Sequence, residues 1–569
     1  MAKSKKKRRS KIDPRTRQAD REKREHIREI RTIFTSAGFS RLSALSDKEF
    51  TFRGTTSDFD DVFLYENVII FVEYTTLSDK ISEHLKKKKV LYDKILEDKI
   101  QFIEFLCEKF PAFKEGLGSK YRSEHFRIAL VYCSRSLVDI ALKEDVSGVC
   151  YLDFHIAKYF KAIADRVKLS ARYELFKFLG LPLSEIGESV VSPSTGASKS
   201  YKGSILPEGQ SHFPKGFKVV SFYVDPGALL ERCYVLRKDG WDEKGGLYQR
   251  MIGKTKIEAI RKYLRTQKRV FINNIIVTLP NSTRLIDSAG NTYDPKGVTR
   301  TEPVEIQLPT EYNSVGLIDG QHRVFSYYEG GAFESEFSVL RKQQNLLVTG
   351  IIYPPKMSSE EKTKFEAQLF LEINATQTNA KSDLKQAISL LLDPFSNESV
   401  AKNVVNRLND GGSLADQFER FFFDKSKLKT TSVVSYGVRP LVKFSGEDSL
   451  FRVWSHPDKA RLSEQNDAVL LQEYIKFCAK EINIFLGAIK ERVAPERWTA
   501  DKRQKDRLLT TTNINGFINC LRKIIQHDDP RSMQFYRSKL DGLERFVFKR
   551  YRSSQYARMG EDMYEQYFS

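Results

Sequence analysis

The chain has 569 residues and a mass of 65.7 kDa, which is too long for one hydrophobic core, so about three or four domains are expected. It has no apolar run of about 18 residues that would cross a membrane, and its first residues lack the apolar stretch of a secretory signal. The six cysteines form no C-x-x-C pair, which argues against a zinc site or a disulfide framework. We therefore expect a cytoplasmic protein without a membrane partner.

The formal charge of +20 is distributed along the whole chain. Residues 1–30 carry 13 Lys and Arg against 5 Asp and Glu and supply +8, so the remaining residues supply +12. Such a surplus favours a polyanionic partner, because basic side chains neutralise phosphates and release counterions. Double-stranded DNA and a nucleoid-associated location are the expectation. RNA and a merely basic surface are the alternatives that charge alone leaves open.

The first 190 or so residues predict a basic arm followed by a folded α/β domain. Residues 1–30 are the arm, which becomes helical around "DREKREHIREIRTIF". Between 31 and 188, strand-like stretches such as "VIIFVEYTT" and "FRIALVYCS" alternate with helical ones such as "KISEHLKKKKVLYDKILEDKIQFIEFLCEKF". This alternation is typical of a central sheet covered by helices.

A linker, a second sheet-containing domain and a helical region follow. The linker, 189–216, is rich in Ser, Gly and Pro. The second domain, 217–390, is predicted to be α+β, with the strands "FKVVSFYVDP" and "NLLVTGIIYP" and the helix "KTKIEAIRKYLRTQ". Amphipathic helical patterns dominate 391–569. The expected fold class is a multi-domain α/β protein with a helical C-terminal region.

A run of polar residues ends an apolar strand in "GLIDGQHR", Gly316 to Arg323. Gly320 permits a tight turn or a close approach of a ligand to the backbone. The Arg323 guanidinium suits a phosphate, and His322 can donate to a phosphate or carry a proton. Two interpretations fit these residues: an anion site where a strand turns into a helix, or a local ion pair between Asp319 and Arg323 beside a satisfied histidine.

"GLIDGQHR" resembles the defining motif of the DGQHR-domain family, which belongs to the ParB/sulfiredoxin-like superfamily and includes relatives similar to the regulator of the DNA phosphorothioation system. "FEAQLFLEINATQTNAKSDL" resembles the family's later helix with its Ile-Asn-x-x-Gln segment, and "YQRMIGKTKIEAIRKYL" and "FINNIIVTL" resemble the elements before the motif. The resemblance implies a pocket for an NTP phosphate or a DNA phosphate. Its residues would be Asp319, Gly320, Gln321, His322, Arg323, Asn374 and Gln377. The chain has no Gly-x-x-x-x-Gly-Lys-Ser/Thr loop, which disfavours a P-loop NTPase.

The first domain places carboxylates beside a predicted hairpin in "GTTSDFDDVFLYENVIIFVEYTT". Asp58, Asp60 and Asp61 precede one strand, and Glu73 ends the next. Carboxylates at the ends of adjacent strands can hold a divalent metal ion that activates water. Solvated loop acids beside an edge-strand charge are the alternative interpretation.

This spacing resembles the PD-(D/E)XK restriction-nuclease fold. The resemblance implies Asp61 and Glu73 as catalytic ligands of Mg²⁺ or Mn²⁺, with Glu29 of an N-terminal helix as a further ligand. Thr75 stands where the family's Glu-x-Lys segment has its lysine. Lys80, at the start of the following helix, is the candidate for the missing lysine's role.

Two functions are compatible with these features. The first is a DNA-interacting protein of a prokaryotic DNA-modification or anti-phage defence system, in which a DGQHR phosphate- or nucleotide-binding domain is coupled to a metal-dependent nuclease-like domain. Such a protein would be a DNA endonuclease, an NTP hydrolase or both, and would work with defence-system partner proteins. The second is a non-catalytic DNA-binding regulator with a degenerate nuclease fold, which would explain the missing lysine.

Overall fold

The structure is a computed structural model that describes residues 14–77, 80–191, 200–236, 241, 251–293, 298–377, 382–421, 423–464 and 467–569. The described residues form two compact units. The first extends to Lys362, and the second consists of Leu236 and the residues from Thr363 on. Within the described parts of the chain, no helix is long and apolar enough to cross a bilayer.

The first unit contains two large sheets and a small ribbon of two strands. Its strands are β1 Ser40–Arg41, β2 Phe50–Phe52, β3 Thr55–Ser57, β4 Asp61–Tyr65, β5 Val68–Thr75, β6 Arg127–Ser134, β7 Cys150–Asp153, β8 Ser200–Leu206, β9 Lys218–Val224, β10 Cys233–Tyr234, β11 Ile275–Leu279, β12 Arg284–Ile286, β13 Glu302–Gln307, β14 Val315–Asp319 and β15 Leu346–Ile352. Its helices are α1 Pro14–Ser36, α2 Ile81–Glu97, α3 Lys99–Lys109, α4 Pro111–Leu117, α5 Ile140–Asp145, α6 Phe154–Val167, α7 Ala171–Phe178, α8 Glu188–Val191, α9 Glu208–Ser211, α10 Pro226–Arg232, α11 Lys254–Gln267, α12 Gln321–Phe325 and α13 Glu334–Gln343.

The first sheet has the strand order β1-β4-β5-β6-β7. β4 and β5 form an antiparallel hairpin, whereas β5, β6 and β7 run parallel. β5, "VIIFVEYT", is buried along its whole length, as expected for an apolar strand covered on both faces. Ile33 of α1 and Phe160 of α6 share a core with Val72 on one face, while Leu85 of α2 shares a core with Phe71 on the other.

The second sheet has the strand order β10-β14-β11-β15-β9-β8-β13-β12. It is mixed, because β14 pairs antiparallel with β11 and parallel with β10, and β11 pairs parallel with β15. The apolar strand β14 leads directly into the short helix α12, so the Asp319–Arg323 segment lies at the end of an internal strand. We call residues 319–323 the DGQHR turn.

The two sheets of the first unit share one hydrophobic core and are joined by polar contacts. Arg172 of α7 forms an ion pair with Glu329, which follows α12. The Leu169 N–H donates to the Glu329 carbonyl at 3.1 Å, and Asn313 Nδ2 donates to the Tyr173 carbonyl at 3.0 Å. The predicted first and second domains therefore pack as one body within this unit.

The second unit is helical. Its helices are the C-terminal part of α14 Ser359–Gln377, α15 Ser382–Leu392, α16 Asn397–Asp410, α17 Thr430–Ser432, the π-helix Val433–Val438, α18 Arg439–Val442, α19 Leu450–Val453, α20 Ala468–Glu491, α21 Thr511–Gln526, α22 Met533–Lys539 and α23 Tyr556–Tyr567. Tyr474 and Phe485 of α20, Phe517 of α21 and Met559 of α23 belong to its core. The mixed α/β class with a helical C-terminal region is thus confirmed.

Three predicted boundaries differ from the structure. The long helix expected from Lys80 to Phe110 is two helices, because Asp98 leaves helical geometry and its side chain caps α3 by accepting from the Gln101 N–H. Within the expected linker, Ser200–Leu206 is the strand β8, paired with β9 and β13, while 192–199 lie outside the described residues. The chain passes from the first unit to the second within α14, between Lys362 and Thr363, rather than near residue 390.

Candidate functional site

The β4–β5 hairpin sends Asp61 and Glu73 to opposite faces of the first sheet. Asp61 opens β4 opposite Val72, and Glu73 is the next residue of β5. Because side chains alternate along a strand, Asp61 shares its face with Val72 and Tyr74, whereas Glu73 lies on the face of Phe71. The structure therefore does not bring the two predicted metal ligands together, which corrects the sequence-based pairing.

Asp61 is a fully buried anion bonded to other side chains. Its Oδ2 accepts from Arg31 Nε at 2.6 Å and from the Tyr74 hydroxyl at 2.7 Å, while its Oδ1 accepts from Arg41 Nε and from Ser46 Oγ. Burial opposes ionisation of Asp61, but the hydrogen bonds from Arg31, Tyr74 and Arg41 lower its pKa below the ordinary value. These contacts fasten α1 and β1 to the hairpin, and they leave Asp61 poorly suited to bind a metal ion.

Glu29, the predicted further ligand, is also engaged elsewhere. Its two carboxylate oxygens accept from Lys158 Nζ of α6 at 2.8 and 2.9 Å. This ion pair joins α1 to α6, and those helices cover the Asp61 face of the sheet. Glu29 therefore links helices on the face opposite Glu73.

On the other face, Glu73 is 5 % exposed and contacts a lysine from α2. Lys88 Nζ lies 2.8 Å from Glu73 Oε2, and it donates to the carbonyl and to Oδ1 of Asp58, both at 2.9 Å. The two contacts with Asp58 are hydrogen bonds, whereas the contact with Glu73 is an ion pair in which Oε2 accepts no hydrogen bond from the described residues. Burial works against the charge on Lys88, but Glu73 and Asp58 raise its pKa, so the amine is protonated at neutral pH.

The lysine at Glu73 is thus Lys88 and not Lys80. Lys80 directly precedes α2 and is exposed. Lys88 lies two turns further along, in the buried stripe of α2 that includes Leu85 and Tyr92. That periodicity was the signal in the sequence, because only one of the four consecutive lysines 86–89 falls on the apolar face.

Asp60 completes the cluster. Its Oδ2 accepts from the backbone N–H of Tyr74 at 2.7 Å, which holds it beside the end of β5. Burial, followed by the nearby Glu73 carboxylate, raises the pKa of Asp60 to about 6. Two carboxylates in a poorly solvated place therefore concentrate negative charge at this end of the hairpin.

These two carboxylates fit a hard divalent cation. Mg²⁺ is commonly held by one or two carboxylates, with water and substrate phosphate completing its shell. Asp60 and Glu73 offer two carboxylates at this end of the hairpin, and a bound cation would offset the burial and the repulsion from Glu73 that raise the pKa of Asp60. Among the described residues, no group of three or more His, Cys, Asp or Glu side chains is placed to hold a metal ion, so most of the shell would have to come from outside these side chains.

Two further side chains border Glu73, and sequence reasoning missed both. His84 of α2 has its Nε2 3.5 Å from Glu73 Oε1, and its Nδ1 lies 2.9 Å from the hydroxyl of Tyr132 on β6. The spacing of four residues between His84 and Lys88, which puts both on one helix face, was the available signal.

The DGQHR turn requires glycine at its second position. Gly320 has φ +101°, and a Cβ built there would lie 2.5 Å from Ile275 Cδ1. Any larger residue would combine backbone strain with a collision against β11. The carbonyl of Gly320 accepts from the N–H groups of Arg323 and Val324, which starts α12.

The side chains of the turn bond within the protein. Arg323 is 8 % exposed, and its Nη2 donates to Asp319 Oδ2 at 2.8 Å. His322 Nε2 accepts from the N–H of Gly253, the residue before α11, at 3.0 Å. Gln321 Oε1 is buried and accepts no hydrogen bond from the described residues. The Asp319–Arg323 pair is the local ion pair that the sequence allowed, and it orients the guanidinium beside Gly320.

The two predicted partners of the turn lie on α14. Asn374 belongs to the second unit, and its Nδ2 donates to the Phe370 carbonyl one turn earlier in the same helix. Gln377 ends α14, and its side chain lies outside the described residues.

No protein-family model matches the chain, and comparison with curated proteins and with solved structures finds no match either.

Proposed function

We propose that the chain is a DNA-interacting protein of a prokaryotic DNA-modification or anti-phage defence system, with a metal-dependent nuclease site on its first sheet and a phosphate-binding DGQHR turn. The observation that carries the nuclease assignment is the buried Lys88 ammonium 2.8 Å from Glu73, with Asp60 beside them. Two carboxylates and one lysine at the end of a hairpin are the residues that the PD-(D/E)XK resemblance implies. In this proposal Asp60 and Lys88 take the roles first assigned to Asp61 and Lys80.

Asp60 and Glu73 would hold Mg²⁺ or Mn²⁺. The bound ion would activate water and stabilise the charge that develops on the phosphate. Lys88 orients Glu73 through Oε2, and its side-chain bond to Asp58 ends on a half-exposed loop acid. Asp58 Oδ1 thus occupies the place of an anionic oxygen, and a DNA phosphate that displaced it would receive a charged hydrogen bond from Lys88.

The surroundings of the site suit a DNA backbone. Lys86 and Lys87 of α2 are exposed next to Lys88, and the chain carries a charge of +20. Exposed lysines neutralise phosphates without reading sequence. We therefore assign α2 both a catalytic side, toward Glu73, and a DNA-contacting side.

The DGQHR turn is the proposed phosphate or nucleotide site, and we propose that it is coupled to the nuclease site through α6 and α7, which pack on the face of the first sheet opposite Glu73. His322 accepts from Gly253, and the neighbouring Ile252 carbonyl accepts from Arg166 Nε of α6 at 2.8 Å. On its other side, the turn leads to Glu329 and its ion pair with Arg172. An anion that drew Arg323 away from Asp319 would act on a segment fastened to α6 and α7.

The nuclease assignment is tested with purified full-length protein and supercoiled plasmid in Mg²⁺ or Mn²⁺. Cutting is expected, and Glu73→Ala and Lys88→Ala are expected to lower it at least about 100-fold, since the first removes a proposed metal ligand and the second a charged donor to the reacting phosphate. Lys80→Ala, which removes an exposed lysine directly before α2, is the matched control and should retain most of the rate. No cutting with either metal, or equal losses in Lys80→Ala and Lys88→Ala, would contradict the assignment.

A non-catalytic DNA-binding regulator is the second candidate. It is favoured by Thr75 at the lysine position and by the engagement of Asp61 with Arg31, Arg41 and Tyr74. This function predicts DNA binding whose logarithm falls linearly with the logarithm of salt concentration, without any cleavage. Retained binding in Glu73→Ala and Lys88→Ala together with an inactive wild type would select it.

The ligand of the turn is tested separately with Arg323→Ala. Loss of NTP binding in calorimetry, with unchanged DNA affinity, assigns the turn to a nucleotide. Weakened DNA binding without a nucleotide effect assigns it to the DNA backbone. Unchanged behaviour toward both ligands would remove the turn from the binding surface.

A further inference from the structure

α2 presents two side chains to the two oxygens of Glu73. His84 and Lys88 are four residues apart and share one face of the helix. Lys88 Nζ lies 2.8 Å from Oε2, and His84 Nε2 lies 3.5 Å from Oε1. The carboxylate is therefore enclosed from both sides by one helix.

The other nitrogen of His84 is held from β6. The hydroxyl of the fully buried Tyr132 lies 2.9 Å from His84 Nδ1. A neutral imidazole that carries its proton on Nε2 accepts at Nδ1, so in that form the Tyr132 hydroxyl donates to the ring.

We propose that His84 is a positioning residue of the Glu73–Lys88 site, held by Tyr132 with its ring proton on Nε2 so that Glu73 is enclosed between His84 and Lys88. The 3.5 Å separation between His84 Nε2 and Glu73 Oε1 is longer than a hydrogen bond. The N–H dipole therefore attracts the carboxylate electrostatically without forming a hydrogen bond to Oε1. The effect expected on cleavage rests on the proposed nuclease function, whereas the proton position on His84 does not.

The proton position is measured first, by nitrogen-15 NMR of histidine-labelled full-length protein. The chain has eight histidines, and the signal missing in His84→Gln identifies His84. The wild type should carry the proton on Nε2, and Tyr132→Phe should shift the ring toward a mixture of the two tautomers. Tyr151→Phe is the matched control, because it removes a buried hydroxyl from the adjacent strand that bonds the Val146 carbonyl instead. A proton on Nδ1 in the wild type would overturn the proposal.

Single-turnover cleavage then tests the functional consequence. His84→Ala and Tyr132→Phe should each slow cleavage about tenfold, as is usual when a residue orienting an active-site ligand is lost, with unchanged affinity for DNA. The double variant should be no slower than His84→Ala, and His84→Gln should recover part of the rate because it keeps an N–H donor. Additive losses, or an equal loss in Tyr151→Phe, would refute the role. If the wild type cuts no DNA the nuclease assignment fails, while the NMR result still decides how His84 is held.

Discussion

Asp60 and Glu73 are two acids in a poorly solvated part of the structure. The pKa of Asp60 is raised to about 6 from an ordinary value near 3.8, because it is buried close to Glu73. The folded state thus holds the Asp60 proton more tightly than the unfolded chain. Ionisation of this group therefore lowers the stability of the protein as pH rises from about 4 to about 6, and the loss stays constant above pH 6.

Asp60→Asn should therefore stabilise the folded protein above pH 6. The gain should be about 1–3 kcal/mol at pH 7 and should vanish below about pH 3, where Asp60 is protonated in both states. Urea unfolding at the two pH values measures it in the absence of divalent metal. The same variant should lose cleavage activity. A constant difference between the two pH values would show that ionisation of Asp60 is not responsible.

Asp58 keeps Lys88 occupied in the absence of DNA. Asp58→Asn should lower the Kd for duplex DNA about twofold to fivefold, since it weakens an ion pair whose acid is half exposed. Fluorescence anisotropy at low salt measures the change. Asp93→Asn is the control and should have a smaller effect, because it alters an exposed acid beside Lys89 in α2, the helix that carries Lys88. A weaker affinity in Asp58→Asn would mean that Asp58 contacts DNA favourably.

At the scale of elements, the strand–turn–helix unit β14–α12 depends on Gly320. Gly320→Ala should destabilise the first unit by about 2–4 kcal/mol, because strain at positive φ adds to a contact of 2.5 Å with Ile275. Gly290→Ala also has positive φ but meets no atom within 4 Å, so it should cost about 1 kcal/mol. Urea unfolding of both variants gives the comparison. Equal costs would mean that the Ile275 side chain moves aside and that the turn is more adaptable than its packing indicates.

Within the first unit, Arg172 and Glu329 connect the two sheets at a poorly exposed position. Glu329→Ala should cost about 3 kcal/mol, because it leaves a buried guanidinium without its anion. The double variant Arg172→Met/Glu329→Gln should recover part of that loss. In the second unit, Glu491→Ala breaks an exposed pair with Arg537 and should change stability little.

Hydrogen exchange locates the same effect along the chain. If the two sheets unfold as one body, Glu329→Ala should accelerate exchange in both β5 and β14 and leave α20 unchanged. Faster exchange confined to β14 would show that the sheets open independently. That outcome would also weaken the proposed coupling between the DGQHR turn and the nuclease site.

Much of the secondary structure could be predicted from local patterns. The predicted helix "KTKIEAIRKYLRTQ" is α11, Lys254–Gln267, and the apolar stretch ending at Glu73 is the hairpin β4–β5. Local sequence was less informative about where some helices and strands begin and end. Asp98 ends one helix and caps the next, and "SYKGSIL" forms a strand although its surroundings resemble a linker.

Residue chemistry and periodicity can be read along the chain. They were sufficient to predict the apolar strands, the need for glycine in the turn and the position of the acids beside the hairpin. The tertiary structure alone decided which acid lies near Glu73. Adjacent residues at the start of β4 face opposite sides of the sheet, so Asp61 points toward Arg31, whereas Asp60 lies near Glu73. Periodicity places only Lys88 of the four consecutive lysines on the apolar face, but the packing of α2 on β5 is what gives that position a buried anion. Such choices depend on contacts between residues distant in sequence, which no local pattern contains.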